Sequence, residues 1–200
     1  MRKMLPEAAT REKMSLPEDK HILILQGSGI NIHRGSEELV DAMQYLDDCI
    51  LLIIGGGDVL PILKKTVAER HHEDRVRFYP RMPYKDMMAI TRLAEVGFTL
   101  DKPNNLNYLF SLPNKLFDYI QANVPIIASH LPEIERIIRD YNIGTFVDDH
   151  NPQHIADKIK EVLSDENTLT TWKNNLNFAA QELCWENEEK TLIEIYEQYI

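Results

Sequence analysis

The chain alternates short runs of continuous apolar residues with stretches whose apolar positions recur every three or four residues. Six runs stand out: 21–26 (HILILQ), 50–54 (ILLII), 75–79 (RVRFY), 96–100 (VGFTL), 124–128 (VPIIA) and 144–147 (GTFV). Most lack a polar alternation, which is how strands covered on both faces read. Between them, Leu39, Val40, Met43 and Leu46, then Leu60, Leu63 and Val67, then Met87, Ile90 and Leu93 fall on single helical faces. Strand–helix alternation of this kind predicts an α/β fold, a Rossmann-like doubly wound parallel sheet of about six strands with right-handed crossovers. After the sixth run the pattern is helical only. Helices are expected over 152–163 and 165–183, then a break near Cys184 and Trp185 and a final helix to 200. Such a tail either wraps the domain or crosses to another.

Composition narrows the function classes. A formal net charge of −10 argues against nucleic acid or an acidic membrane surface as main partner, since both want a basic face. It leaves a nucleotide open, because backbone amides and one or two cations suffice for a diphosphate. Cys49 and Cys184 stand far apart without metal-ligand spacing, so inert thiols in a reducing compartment are expected. No apolar run approaches the roughly 18 residues of a membrane span. The opening MRKMLPEAATREKM has no apolar core of a signal peptide and reads like the middle of a protein.

In a doubly wound sheet, ligands bind outside the carboxyl ends of the strands, so the loops there are the candidates. The first holds Gly27, Ser28, Gly29 and, further on, Arg34 and Gly35. Its glycines allow close backbone approach, and Arg34 at a helix start stands against the macrodipole, which suggests an anion bridging the two. A plain turn with a solvated arginine is the alternative. The second holds Gly55, Gly56, Gly57 and Asp58, with Asp58 placed to cap the next helix. Neither turn carries the Gly-x-Gly-x-x-Gly spacing of a dinucleotide site. The third, Pro80 to Pro83 with Arg81 and Met82 between, is a stiff loop suited to a planar base or to a rigid connector. The fourth is polar and Asn-rich from Asp101 and ends at PNKLFDYI. Pro113 at a first helical position leaves the amides of Asn114 and Lys115 free. Lys115 adds countercharge, and Asp118 follows one turn later on the same face, able to accept both hydroxyls of a ribose. The competing reading pairs Lys115 with Asp118 on a solvated surface.

Two segments, QGSGINIHRGSEELVDAM and LFSLPNKLFDYIQANVPIIASHLPEIERII, resemble the donor domain of GT-B retaining glycosyltransferases of family 4, whose signature often reads LPNKLFEYMAAGxPVIAS. The likeness runs from about residue 21 to 138. It implies the C-terminal, donor nucleotide-sugar-binding half of such an enzyme. By the resemblance, the diphosphate falls to Gly27, Ser28, Gly29, Arg34, Ser111, Asn114 and Lys115, the ribose to Asp118, and the base to Gly55, Gly56, Arg81 and Met82. The family's first motif glutamate falls at Phe110, and its other diphosphate-binding arginine is replaced in the Ser28–Gly29 region. No metal or cofactor is expected.

The implied organisation is an interdomain segment over 1–20, a donor domain over 21–183, and a C-terminal helix over 184–200 that crosses to a missing N-terminal acceptor domain. An exposed apolar stripe including Trp185, Leu192, Ile195 and Tyr199 is expected on that helix. The implied partners are a nucleotide sugar and a glycan or lipid-linked acceptor, in hexosyl transfer for polysaccharide biosynthesis. The implied location is cytoplasmic, with peripheral attachment at the inner membrane face through the missing domain, and the isolated half is expected to be inactive. A non-catalytic nucleotide-binding or regulatory module and a GT-B-type epimerase are the alternatives. The epimerase would draw on His33, His71, His72 or His130, for which surface or capping roles are expected.

Overall fold

The computed structural model describes residues 6–199; Met1 to Leu5 and Ile200, which fall in the expected linker and crossing helix, lie outside the described residues. Six strands, β1 (His21–Gly27), β2 (Cys49–Gly55), β3 (Val76–Tyr79), β4 (Val96–Thr99), β5 (Ile126–Ser129) and β6 (Gly144–Val147), form one sheet in the order β3-β2-β1-β4-β5-β6. Every pairing is parallel. Helices α1 (Ser36–Ala42), α2 (Leu60–Glu69), α3 (Tyr84–Thr91), α4 (Leu106–Leu109), α5 (Asn114–Ala122), α6 (Pro132–Tyr141), α7 (Pro152–Ser164), α8 (Glu166–Glu182) and α9 (Trp185–Glu197) complete the chain.

Both faces of the sheet are buried, and this explains the missing polar alternation. Leu23, Leu25, Leu51 and Ile53 point into a core shared with α1, α2 and α7. Their neighbours Ile22, Ile24, Leu52 and Ile54 point the other way, into a core with α3, α5, α6 and α8. The helices that follow β1 and β2 therefore cover one face, and those that follow β3, β4 and β5 cover the other. The reversal falls between β1 and β4. The β1–β2 register ends on the pair Gly27–Gly55, which sets the first two loops side by side.

The segment before β1 is no free linker over its described part. The Ala9 amide donates to the Ala89 carbonyl at 2.8 Å, and Leu16 is buried. Arg11 donates to the carbonyls of Pro17 and Lys20 and to the Glu95 carboxylate, whose other oxygen accepts from the Ile22 amide. One arginine with several donors thus ties the turns of this segment to the start of β1, beside α3. The far end behaves differently. No residue of α9 is buried, and Trp185, Leu192, Ile195 and Tyr199 lie exposed as expected of an apolar stripe. No helix among the described residues is long and apolar enough to cross a membrane.

Candidate functional site

At the reversal between β1 and β4 the carboxyl ends of the strands open into a cleft of about 1990 Å³. Gln26, Gly27, Ser28, Gly29 and Arg34 line one side, and Pro113, Asn114, Lys115, Phe117 and Asp118 the other. Tyr84 and Met87 of α3 close one end, while α8 and α9 contribute Phe178 and Trp185 beyond. The volume is about twice the upper range of a ligand pocket, as befits a groove with one wall open.

Helix α5 is held in place by Tyr119, whose ring is fully buried beneath the sheet's end. Its hydroxyl lies 3.3 Å from the Ile24 carbonyl and 3.2 Å from that of Phe98, and accepts from the Gln26 amide at 3.3 Å. One side chain thus pins α5 to both strands at the reversal. Pro113 sits at the N-cap, one position earlier than the first helical residue expected for it, because its ψ of 143° is extended. The consequence is unchanged. The Leu116 amide bonds back to the Pro113 carbonyl, and the amides of Asn114 and Lys115 head the first turn.

Lys115 does not pair with Asp118. It is buried, with Nζ 3.9 Å from Asp101 Oδ2. Arg34 Nη1 lies 3.1 Å from Asp101 Oδ1, an ionic contact off the hydrogen-bonding angle, so that oxygen and Arg34 Nε have no hydrogen-bond partner. The Arg34 guanidinium also stacks over Tyr108 of α4, 4.6 Å from the ring centroid. Arg34 was expected either to share an anionic ligand with the helix dipole or to be solvated; the fully buried Asp101 carboxylate lies against it. Burial holds the Lys115 ammonium below the ordinary lysine pKa, with Asp101 opposing and Arg34 adding to the shift. Two cations thus share one buried carboxylate.

Asp118 turns its carboxylate toward the first loop. Oδ2 accepts from Gln26 Nε2 at 3.1 Å and Oδ1 from the Tyr84 hydroxyl at 3.0 Å. Burial raises its pKa above the ordinary carboxylate value, against the lowering effect of the two donors. Gln26 and Tyr84 escaped the sequence reading. A signal for Gln26 was there: it is the one polar residue inside the run ILILQ, at the end of a strand that points at the ligand edge.

Other expected ligands lie off the cleft walls. Asp58 caps nothing: the N-cap of α2 is Val59, and Asp58 Oδ1 accepts from the Ile32 amide instead. The Gly56 amide donates to the Gly27 carbonyl, and the Ile30 amide to the Gly56 carbonyl. Gly55 and Gly56, expected at the base, therefore brace the first loop from behind. Arg81 donates to the Ser28 carbonyl at 2.6 Å, and Met82 packs into the core beside α3 and α5. Ser111 directs both its amide and its hydroxyl to the Tyr108 carbonyl, since the short α4 ends there. None of Gly55, Gly56, Arg81, Met82 and Ser111 lines the cleft. The four histidines lie outside it too; His130 pairs with Glu135 and stacks on Phe146.

The brace is tight at Gly57, where an added Cβ would stand 1.8 Å from the Ile30 carbonyl oxygen. Gly57→Ala is expected to force the two loops apart and cost about 1–3 kcal/mol, read as a lower midpoint in urea. An unchanged midpoint would mean that the loops are slack.

The model of the family "Glycosyl transferases group 1" matches residues 7–177. A D-inositol 3-phosphate glycosyltransferase of Xylanimonas cellulosilytica is 22% identical over 200 residues, covering 95% of this chain and 45% of that protein. The chain thus spans less than half of that relative. Sucrose-phosphate synthase of Thermosynechococcus elongatus superposes with a TM-score of 0.79 at 23% identity, over 98% of this chain and 49% of that one. Alr3699/HepE of Anabaena, solved in complex with UDP-glucose, gives 0.78 at 14% identity, over 94% and 51%. At such identities the likeness to solved structures speaks for the fold, and the family match for descent. With its sheet order, its cleft at the strand reversal and a family match over most of its length, this chain belongs to the group 1 glycosyltransferases.

Proposed function

We propose that the chain is the donor half of a glycosyltransferase and binds the nucleoside diphosphate of a nucleotide sugar in this cleft. One observation carries the reading. The free amides of α5, the buried Lys115 and the Asp118 carboxylate face one groove with Gly27 to Gly29 and Arg34. A diphosphate lies on the amides of Asn114 and Lys115, with Lys115 and Arg34 as countercharge. A ribose diol then falls to Asp118, and the base extends past Ser28 toward Arg81. As the glycosidic bond breaks, the amides and cations stabilise the charge that collects on the leaving diphosphate, without need of a metal. A second half, absent here, would hold the acceptor and close over the donor to exclude water. The UDP-glucose bound by the structurally similar Anabaena protein favours uridine among the bases and a hexose as the sugar. A glycan or lipid-linked acceptor, a polysaccharide product, a cytoplasmic site and membership of family 4 follow from the signature segment alone.

Calorimetric titration with UDP, GDP and ADP tests the proposal. One diphosphate is expected to bind selectively, at roughly micromolar to millimolar strength because the groove lacks its second wall. EDTA should leave the affinity unchanged, and Lys115→Ala should lower it about tenfold or more. A folded chain that binds none of the three, or binds equally well without Lys115, would refute it.

A second reading, a nucleotide-binding module without transfer activity, is favoured by Phe110. The resemblance puts an acid at this position, and the structure has an exposed aromatic ring. A chain that binds UDP but gains nothing from a sugar on the diphosphate would support that second reading.

A further inference from the structure

We propose that Tyr84 gates the ribose position: its phenol holds one oxygen of Asp118 while the cleft is empty and is displaced when the nucleotide's diol arrives. The proposal rests on the reading of Asp118 as the diol acceptor and adds a residue that controls access to it.

The two partners of Asp118 differ in kind. Gln26 is fully buried, and its Oε1 accepts from the equally buried Thr91 hydroxyl at 2.6 Å. The Thr91 hydroxyl also has the Met87 carbonyl at 2.8 Å, so it is the ionised Asp118 carboxylate, an acceptor only, that turns Nε2 of the buried amide toward Oδ2. Tyr84 is the first residue of α3 and is 59% exposed. Its ring can leave Oδ1 by side-chain rotation alone, with no core packing to undo. Tyr84 also lines the cleft at its α3 end, so the phenol stands in the same groove as the Asp118 carboxylate.

A vicinal diol engages both oxygens of a carboxylate, one hydroxyl on each. Oδ2 keeps a free lone pair beside Gln26, so a first hydroxyl binds there without displacing anything. Oδ1 keeps a second lone pair too, but the exposed phenol lines the cleft and covers its open side, the place that a second hydroxyl needs. For the native chain, the second hydroxyl therefore exchanges one bond to a carboxylate for another and gains little. The phenol compresses the preference for ribose over 2′-deoxyribose, and it keeps a half-buried carboxylate hydrogen-bonded while no ligand is bound.

Comparison of UDP and 2′-deoxy-UDP binding to the native chain and to Tyr84→Phe tests this, at a pH that keeps Asp118 ionised. Tyr84→Phe removes an exposed hydroxyl, and an unchanged thermal midpoint verifies that the fold is intact. Native binding should favour UDP by less than about threefold. The variant should bind UDP about tenfold more tightly, with 2′-deoxy-UDP shifted by no more than about twofold. Equal tightening for both nucleotides would overturn the gate, since the phenol would then compete with no particular hydroxyl. Unchanged or weaker UDP binding would also overturn it, the latter making Tyr84 a direct contact of the bound nucleotide. Failure of the native chain to bind either nucleotide would overturn the donor-site reading and the gate together, so the two failures are told apart by the native titration.

Discussion

Asp101→Asn is expected to destabilise the empty domain and, in the same molecule, to tighten its hold on a nucleoside diphosphate. Asp101 is fully buried and is the counterion of both Arg34 and Lys115. Removing one partner of a buried ionic cluster leaves the others desolvated and uncompensated, at about 3 kcal/mol, the low end of the usual range because Arg34 keeps some contact with water. The penalty has a pH signature. Lys115 already has a lowered pKa, and loss of the carboxylate lowers it further. Between its folded and unfolded pKa values the unfolded chain binds the proton and the folded one does not, so stability rises with pH there. The deficit relative to the native chain is therefore full below the variant's folded Lys115 pKa and shrinks as pH rises to the native one, leaving the share that belongs to Arg34. Ligand affinity moves the other way. The native carboxylate repels an entering diphosphate across a few ångströms, and its neutralisation should tighten UDP binding about tenfold. Urea melts across pH, with and without UDP, measure both effects. A variant that loses stability yet binds UDP no better would mean that the diphosphate does not sit between these cations.

Asp118→Asn is expected to show the opposite pairing, a domain at least as stable that has lost most of its nucleotide affinity. Burial raises the pKa of Asp118 in the fold. Over the window from the ordinary carboxylate value up to the raised one, the folded chain holds the proton more tightly, so this group makes stability fall as pH rises. The cost is full above the raised pKa. An amide removes it and can still accept from Gln26 while donating to the Tyr84 oxygen. The diol, however, loses its bond to the charged acceptor at Oδ2, worth about 2 kcal/mol or about 30-fold in affinity, while the bond at Oδ1 is offset by the phenol that it displaces. In the native chain the same ionisation predicts that UDP binding weakens as pH falls through the raised pKa of Asp118. The variant should lack that dependence. Thermal midpoints and calorimetry at two pH values check the pair of effects; retained affinity in the variant would remove Asp118 from the ribose.

A residue held at a cost to stability is what a binding site requires, and the two variants expose the two halves of that cost. Lys115 and Asp118 are both desolvated and both have pKa values displaced toward the neutral form. Structural surface pairs of the kind weighed for Lys115 and Asp118 would show neither trait. Their burial one turn apart at a helix start is the feature on which the proposed donor site rests.

Much of this was legible from residues alone. ILIL of β1 and ILLII of β2 run apolar at successive positions, as strands covered on both faces do. The run of helices after β6 carried no further strand signal, and α9 kept its apolar residues in solvent. PNKLFDYI placed free amides, a cation and a carboxylate on one helix start. These features depend on neighbours within a turn or on period, which a linear sequence displays directly.

The choice of polar partners came only with the tertiary structure. Asp58 reads as a helix cap locally, yet the parallel register that pairs Gly27 with Gly55 delivers it to the Ile32 amide. Arg34 finds its carboxylate at the end of β4, and Asp118 finds Gln26 on β1 and Tyr84 on α3. Burial periodicity is a property of each segment, so composition and spacing suffice for it. A hydrogen bond or an ion pair is a property of two segments and of the angle at which they meet, and that angle exists only after the sheet has assembled.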